Sequence, residues 1–236
     1  MSFRLKDLFP KTWKRAVAER KRTRPQAALK RIASRGVEIG TLIDVGASDG
    51  RWSAEARHYL GAGNYLLVEA NEGHREALVA YCAAHPDTQF EIAAATDRTG
   101  TIRFDGRDPF GGKAAPDDAA GALEVPAVAL DELVADRGLP GPYCLKLDTH
   151  GHEVPILDGA ADILSKATLV IIETYMFRIA SEALLFDEMV ALMRERGFGV
   201  ADFSDPMWRP GDKCLWQVDL YFLPLTHKVF EKPVYF

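Results

Sequence analysis

The chain has 236 residues and a net charge of −5 at neutral pH, and its 47 % apolar, 27 % charged composition is that of one large globular α/β unit rather than a fibrous or disordered chain. No apolar run reaches the ~18 residues needed to span a membrane, and the basic start is not followed by the apolar stretch of a secretory leader. Cys82, Cys144 and Cys214 are widely spaced, form no zinc pattern and point to a reducing compartment, so the expected location is cytoplasmic.

Charge is distributed unevenly. Residues 1–36 carry twelve Lys/Arg and two Asp/Glu, a balance of +10, which leaves −15 on residues 37–236. The division expected is a basic helical arm (1–36) before a catalytic body (37–236). In the arm, Leu5, Leu8, Phe9, Trp13 and Val17 recur at helical steps, and Pro10 and Pro25 interrupt the segment. Such an arm suits an anionic membrane surface, a nucleic acid or an acidic partner. The short apolar stripe favours a cap packed on the body or on a second subunit. Peripheral membrane contact or self-association is therefore the expectation for the arm, and nucleic acid is not.

From residue 37, apolar runs alternate with amphipathic stretches. Strands are predicted at 41–46, 64–69, 89–94, 142–148, 168–174 and 216–223. Helices are predicted at 51–60, 72–84, 128–137, 152–165 and 180–196. This alternation predicts a doubly wound, mostly parallel α/β sheet, whose strand ends line one ligand-binding edge. Two departures are expected. The Gly- and Pro-rich segment Phe104–Ala122, after a short strand Thr101–Phe104, reads as a mobile loop able to close over substrate. The last strand can pair with Phe198–Phe203 as a hairpin, making one strand antiparallel.

The strongest local signal is Leu42-Ile-Asp-Val-Gly-Ala-Ser-Asp-Gly50, an apolar run that ends in an acid and a glycine turn. A second run, Tyr65-Leu-Leu-Val-Glu69, also ends in a carboxylate, 19 residues beyond Gly50. That gap is close to the ~20 residues between a nucleotide-binding glycine loop and its ribose acid. Glu69 can accept from both ribose hydroxyls and would repel a 2′-phosphate. The Gly46-x-x-x-Gly50 spacing is looser than that of pyrophosphate binders, and Asp44 sits beside it. A carboxylate there suits a ligand with a positive end. S-Adenosylmethionine, with an ammonium, a sulfonium and no phosphate, is such a ligand.

A second constellation is Tyr143-Cys-Leu-Lys-Leu-Asp-Thr-His-Gly-His-Glu153, a buried strand that delivers Asp148, His150, His152 and Glu153 to the start of a helix. Asp148 can accept a proton or hold a metal, and either histidine can act as a general base near neutral pH. Glu173 ends the next strand at the same edge. Asp148 and Glu173 are the candidate ligands for Mg²⁺ or another divalent cation, which prefers oxygen donors.

These residues resemble the FkbM family of S-adenosylmethionine-dependent methyltransferases. The resemblance runs over about residues 40–175. It is carried by Ile43–Gly50, Val68-Glu-Ala-Asn71, Ala93–Asp97, Val128–Leu133, and above all Leu145–Glu153 with Leu157-x-Gly159. It implies the class I methyltransferase (Rossmann-like) fold, seven strands mostly parallel with the last antiparallel. It also implies O-methylation of a hydroxyl on a sugar, glycan or secondary metabolite. By position, Asp44, Gly46, Ala47, Ser48 and Gly50 would line the methionine end. Glu69 and Ala70 would hold ribose and adenine, and Ala94 to Asp97 would lie near the adenine. Asp148 would face the transferring methyl. Position 150 is often acidic or an amide in such motifs and is histidine here, and the basic arm lies outside the shared core. Two rival readings are a nicotinamide-dependent oxidoreductase, which Glu69 permits, and a nonenzymatic protein that binds through its arm.

Overall fold

The computed structural model describes residues 21–108, 111–116 and 119–232. Residues 1–20, most of the predicted arm, lie outside that description. The described part opens with helix α1 (Pro25–Ala33), with Pro25 at the first helical position, where its missing N–H costs nothing. Ala28, Leu29 and Ile32 of this helix are fully buried. Outside them, Arg31 and Arg35 both reach the Asp202 carboxylate, at 2.7 and 3.2 Å.

Strand β1 (Ile39–Val45), helix α2 (Arg51–Arg57), β2 (Ala62–Glu69), α3 (Arg75–Ala84) and β3 (Thr88–Ile92) follow in alternation. Next come β4 (Ala94–Thr96), β5 (Gly100–Asp105), β6 (Lys113–Ala114), β7 (Leu123–Ala129) and α4 (Leu130–Asp136). The chain continues through β8 (Tyr143–Leu147), α5 (Glu153–Asp158), α6 (Ala161–Ser165), β9 (Ala167–Tyr175), α7 (Phe186–Glu195), β10 (Phe198–Trp208) and β11 (Leu215–Pro224).

Seven strands make the main sheet in the order β10-β11-β9-β8-β1-β2-β3. β11 is antiparallel to both neighbours, and the pairs from β9 to β3 are parallel. This is the expected doubly wound sheet with its last strand antiparallel. Strand alternation sorts the core onto two faces. Ile43, Leu66, Leu145, Ile172 and Phe222 point to one face, where α4 to α7 pack. Leu42, Leu67, Cys144, Ile171 and Tyr221 point to the other, under α1, α2 and α3. Among the described residues, no helix is long and apolar enough to cross a membrane.

The structure corrects four sequence expectations. The segment expected as a loop contributes the end of β5 and the two-residue β6, which pair and with β7 and β4 form a second, four-stranded sheet. The stretch 123–129 is a strand, so the helix predicted from 128 begins at Leu130. The predicted helix 152–165 is two helices, because the free N–H groups of Asp162 and Ile163 turn to the Asp131 carboxylate, at 2.8 and 2.9 Å. Finally, α7 starts at Phe186 rather than 180, its entry fixed by Leu185 N–H donating to Glu188 Oε2 at 2.8 Å.

The break between α5 and α6 lies against β4. A Cβ on Gly159 would stand 2.1 Å from the Thr96 carbonyl oxygen, a backbone atom that cannot rotate away. Gly159→Ala should therefore destabilise the fold by roughly 1–3 kcal/mol through overpacking. Gly61→Ala, where a Cβ meets nothing within 4 Å, should stay within about 0.5 kcal/mol of the parent. Denaturant midpoints of the two variants measure the contrast, and equal midpoints would refute it.

Candidate active site

A cleft of about 510 Å³ opens at the carboxyl ends of β1, β2 and β8. Its floor is the turn after β1. Gly46 has φ +74°, and a Cβ there would fall 2.0 Å from the Asp148 carbonyl oxygen. Only glycine lets the two loops touch, which sets the glycine turn directly against Asp148. The turn also hangs on β2: Gly46 N–H donates to the Val68 carbonyl at 2.9 Å, and Ser48 N–H to Glu69 Oε2 at 2.7 Å. Glu69 Oε1 accepts from Asn71 N–H at 2.7 Å. Glu69 thus braces both loops, and each oxygen keeps a further lone pair for a ligand hydroxyl. Ser48 holds a left-handed φ of +52°, and its buried Oγ has no hydrogen-bond partner among the described residues. A buried hydroxyl left unsatisfied at a cleft wall marks a place for a polar ligand group.

Of the candidate site residues singled out from sequence, Gly46, Ala47, Ser48, Glu69, Ala70, Ala94, Asp148, His150 and His152 line this cleft, and Asp44, Gly50, Asp97 and Glu173 do not. Asp44 is fully buried. It alternates onto the face of Leu42, beneath α2, where Ser53 Oγ donates to it at 2.7 Å. Gly50 caps α2 in a left-handed conformation behind the Tyr81 ring. Asp97 stands two residues beyond Ala95, the last of this stretch to line the cleft, and accepts from the Thr96 hydroxyl at 3.3 Å.

The sequence reading missed the residue that links the two halves of the site. Lys146 is paired with Asp44 across β8 and β1. Its Nζ lies 3.1 Å from Asp44 Oδ1 and 3.3 Å from Asp148 Oδ2, with the side chain 6 % exposed. Burial works against its charge, but Asp148 and Asp44 more than offset this and hold the ammonium well above the ordinary lysine range. The available signal was a lysine between leucines in an otherwise apolar strand, a residue rarely buried unless paired. Burial likewise works to raise the Asp148 carboxyl, yet Lys146 and His150 keep it below the usual range and ionised.

Two further acids face this group. Glu173 is pushed far upward by burial and then by the Asp148 charge, while the Tyr175 hydroxyl and Gln217 amide donate to its oxygens. Asp219, opposite Glu173 on β11, is pushed up to about 7 by burial and then by Asp148. At neutral pH the cluster therefore holds an ionised Asp148 beside Glu173 and Asp219, both of which are shifted toward their protonated forms.

The two histidines separate. His150 Nδ1–H donates to the Gly112 carbonyl at 3.3 Å, which leaves Nε2 3.7 Å from Asp148 Oδ1 and 3.8 Å from Glu173 Oε2. Its left-handed loop is held by buried Glu153, which accepts from Gly151 N–H at 2.9 Å and Thr149 Oγ at 3.1 Å. His152 turns instead to Thr96 Oγ1, at 3.0 Å, and burial holds its ring below the ordinary histidine range and neutral.

Asp148, His150 and Glu173 each present a ligand atom within 4.8 Å of the others. The sequence-derived pair of possible metal ligands is thus brought together, with His150 added. The donor chemistry nonetheless fits Mg²⁺ poorly. The Lys146 ammonium already pairs with Asp148, and one of the three donors is nitrogen where Mg²⁺ prefers oxygen.

Residues 44–200 match the model of the methyltransferase FkbM domain. An 85-residue segment is 31 % identical to the hexuronic acid methyltransferase AglP of Haloferax volcanii, covering 33 % of this chain and 36 % of that protein. In structure, the chain resembles the methyltransferase FkbM of Methylobacillus flagellatus KT (TM-score 0.50, 16 % identity) over 78 % of its own length and 43 % of the other's. It also resembles the N-methyltransferase NodS of Bradyrhizobium japonicum WM9 (TM-score 0.50, 6 % identity), over 87 % and 96 % of the two chains. The chain thus spans well under half of the first two relatives. At these identities the two structures report the class I methyltransferase fold alone. The match to the FkbM domain covers most of the chain and includes the glycine turn, Glu69 and the whole Asp148 loop: the chain belongs to the FkbM methyltransferase family.

Proposed function

We propose that this chain is an S-adenosylmethionine-dependent O-methyltransferase acting on a sugar hydroxyl, with a uronic acid as the acceptor class that the hexuronic acid methyltransferase relative suggests. The observation that carries the reading is the joining of the two halves of the site. A glycine turn and a ribose-type acid form one wall of the cleft, and an ionised carboxylate paired with a histidine stands directly against that turn. The cleft volume lies within the ~300–1,000 Å³ of small-molecule sites, and the unsatisfied Ser48 hydroxyl suits the polar methionine end of the cofactor.

When bound, S-adenosylmethionine supplies a methyl carbon activated by its sulfonium. The protein contributes position and removal of a proton. Glu69 accepts from the ribose hydroxyls. His150, donating through Nδ1 to Gly112, offers Nε2 as the base for the acceptor hydroxyl, and Asp148 stabilises the imidazolium that results. His152 is placed on the Thr96 side of the cleft and acts on cofactor position.

Calorimetric titration with S-adenosylmethionine should show saturable binding that Glu69→Ala weakens at least about tenfold, the worth of one lost charge-assisted hydrogen bond. Equal affinities would overturn the cofactor assignment.

His150→Ala should lower kcat by roughly 10²–10⁴-fold, the usual range for a general base, with cofactor affinity unchanged. His152→Ala should instead act mainly on cofactor affinity. Methyl transfer to methyl β-D-glucuronide, followed alongside the titration, separates the two, and an undiminished kcat in His150→Ala would remove it from the base role.

The acid cluster also makes stability depend on pH. Asp219 titrates near ~3.9 when unfolded and at about 7 when folded. Its contribution is fully present below the unfolded value and is lost as pH rises through the folded one. Glu173 acts in the same direction. Melting temperatures should show Asp219→Asn gaining on the parent from pH 5 to pH 8. A difference that does not vary with pH would show that Asp219 holds no proton there.

A further inference from the structure

On the side of Asp148 away from the glycine turn, a run of rings leads out from the site. The Tyr175 ring centre is 6.4 Å from that of His150. Trp216 meets Tyr175 edge-on at 6.0 Å and stacks on Phe177 at 5.5 Å. The Arg209 guanidinium lies 4.3 Å over the Phe177 ring and is itself held by Asp212, with Nε donating at 3.0 Å. The backbone fixes the set: Met176 N–H donates to the Trp216 carbonyl at 3.0 Å, and Arg209 N–H to the Cys214 carbonyl at 2.9 Å. Trp216 and Phe177 are only partly buried and belong to neither core cluster. They are placed where the β10–β11 hairpin extends past the end of β9.

We propose that Trp216, backed by Phe177 and linked through Tyr175 to His150, forms the shelf that receives the ring of the acceptor sugar. A sugar ring is apolar on the face that carries its C–H groups and polar around its rim. An aromatic surface beside a few fixed polar groups matches both parts. With the ring on Trp216, a rim hydroxyl is directed toward His150 and Asp148, and the Gln217 amide and Glu173 carboxyl stand beneath it. Arg209, braced by Asp212, keeps Phe177 in place. The assignment rests on the reading that methyl transfer occurs at Asp148 and His150.

The test uses the full chain saturated with S-adenosylhomocysteine and titrated with methyl β-D-glucuronide by saturation-transfer NMR and calorimetry. The parent should bind the glycoside saturably. Trp216→Leu and Phe177→Leu should each weaken that binding about tenfold or more, and Trp216→Tyr, which keeps a ring, should restore most of it. S-Adenosylhomocysteine affinity should be unchanged in all three variants, which shows that the cleft is intact. Glycoside binding that Trp216→Leu leaves unchanged, or no saturable binding by the parent, would overturn the shelf while leaving the cofactor reading in place. A parent chain that fails to bind S-adenosylhomocysteine would overturn the methyltransferase reading itself.

Discussion

The ion pair between Lys146 and its two carboxylates, Asp44 and Asp148, is the constraint on which the site depends. Each partner alone would be a charge in a place that charges avoid. Asp44 is fully buried and Lys146 nearly so. Removing one member of such a buried set typically costs about 3–5 kcal/mol, because it strands the others. The pair gives little net stability over an apolar core of the same shape. What it provides is position. Lys146 ties the end of β1 to the end of β8, the two strands whose following loops meet at the cleft.

That tie also sets the protonation of the acids around it. One ammonium cannot neutralise four carboxylates, one fully buried and three partly so. Asp44 and Asp148 both pair with it, and it holds Asp148 below the usual carboxylate range, whereas Glu173 and Asp219 are pushed upward by burial and by the Asp148 charge. The result is an ionised acid beside two that are shifted toward their protonated forms, at the point where a base would need a carboxylate partner. His150 faces this boundary, and His152 is turned away from it by Thr96.

The features legible in the sequence were those that depend on neighbours along the chain. Alternation and apolar runs identified six of the seven strands of the main sheet, since a strand buried on both faces has little freedom of composition; the partly exposed β10 was anticipated only as a hairpin partner of the last strand. The Gly46–Gly50 turn and Glu69 stood out because a tight turn and a strand-end acid are local requirements. The second sheet was not legible. β4 and β6 are three and two residues long and are stabilised only by partners elsewhere in the chain. Asp44 was misplaced for a related reason. It was judged by its distance from the loop, whereas its direction is set by the pleat, which turns it under α2.

By itself, then, the sequence determined that this is a doubly wound chain with a nucleotide-type turn, a distal acid and a polar loop after a central strand, and its motifs placed it in a family. Only the tertiary structure decided which of those polar groups meet. Asp44 and Lys146 are 102 positions apart, yet the β1–β8 register sets them side by side. Glu173 and Asp219 are joined in the same way by an antiparallel pairing. The division of labour between the histidines rests on one left-handed residue and one threonine from another sheet. Such choices follow from strand register and burial, which no short segment encodes, because the energy of a buried charge is fixed by what the rest of the chain places around it.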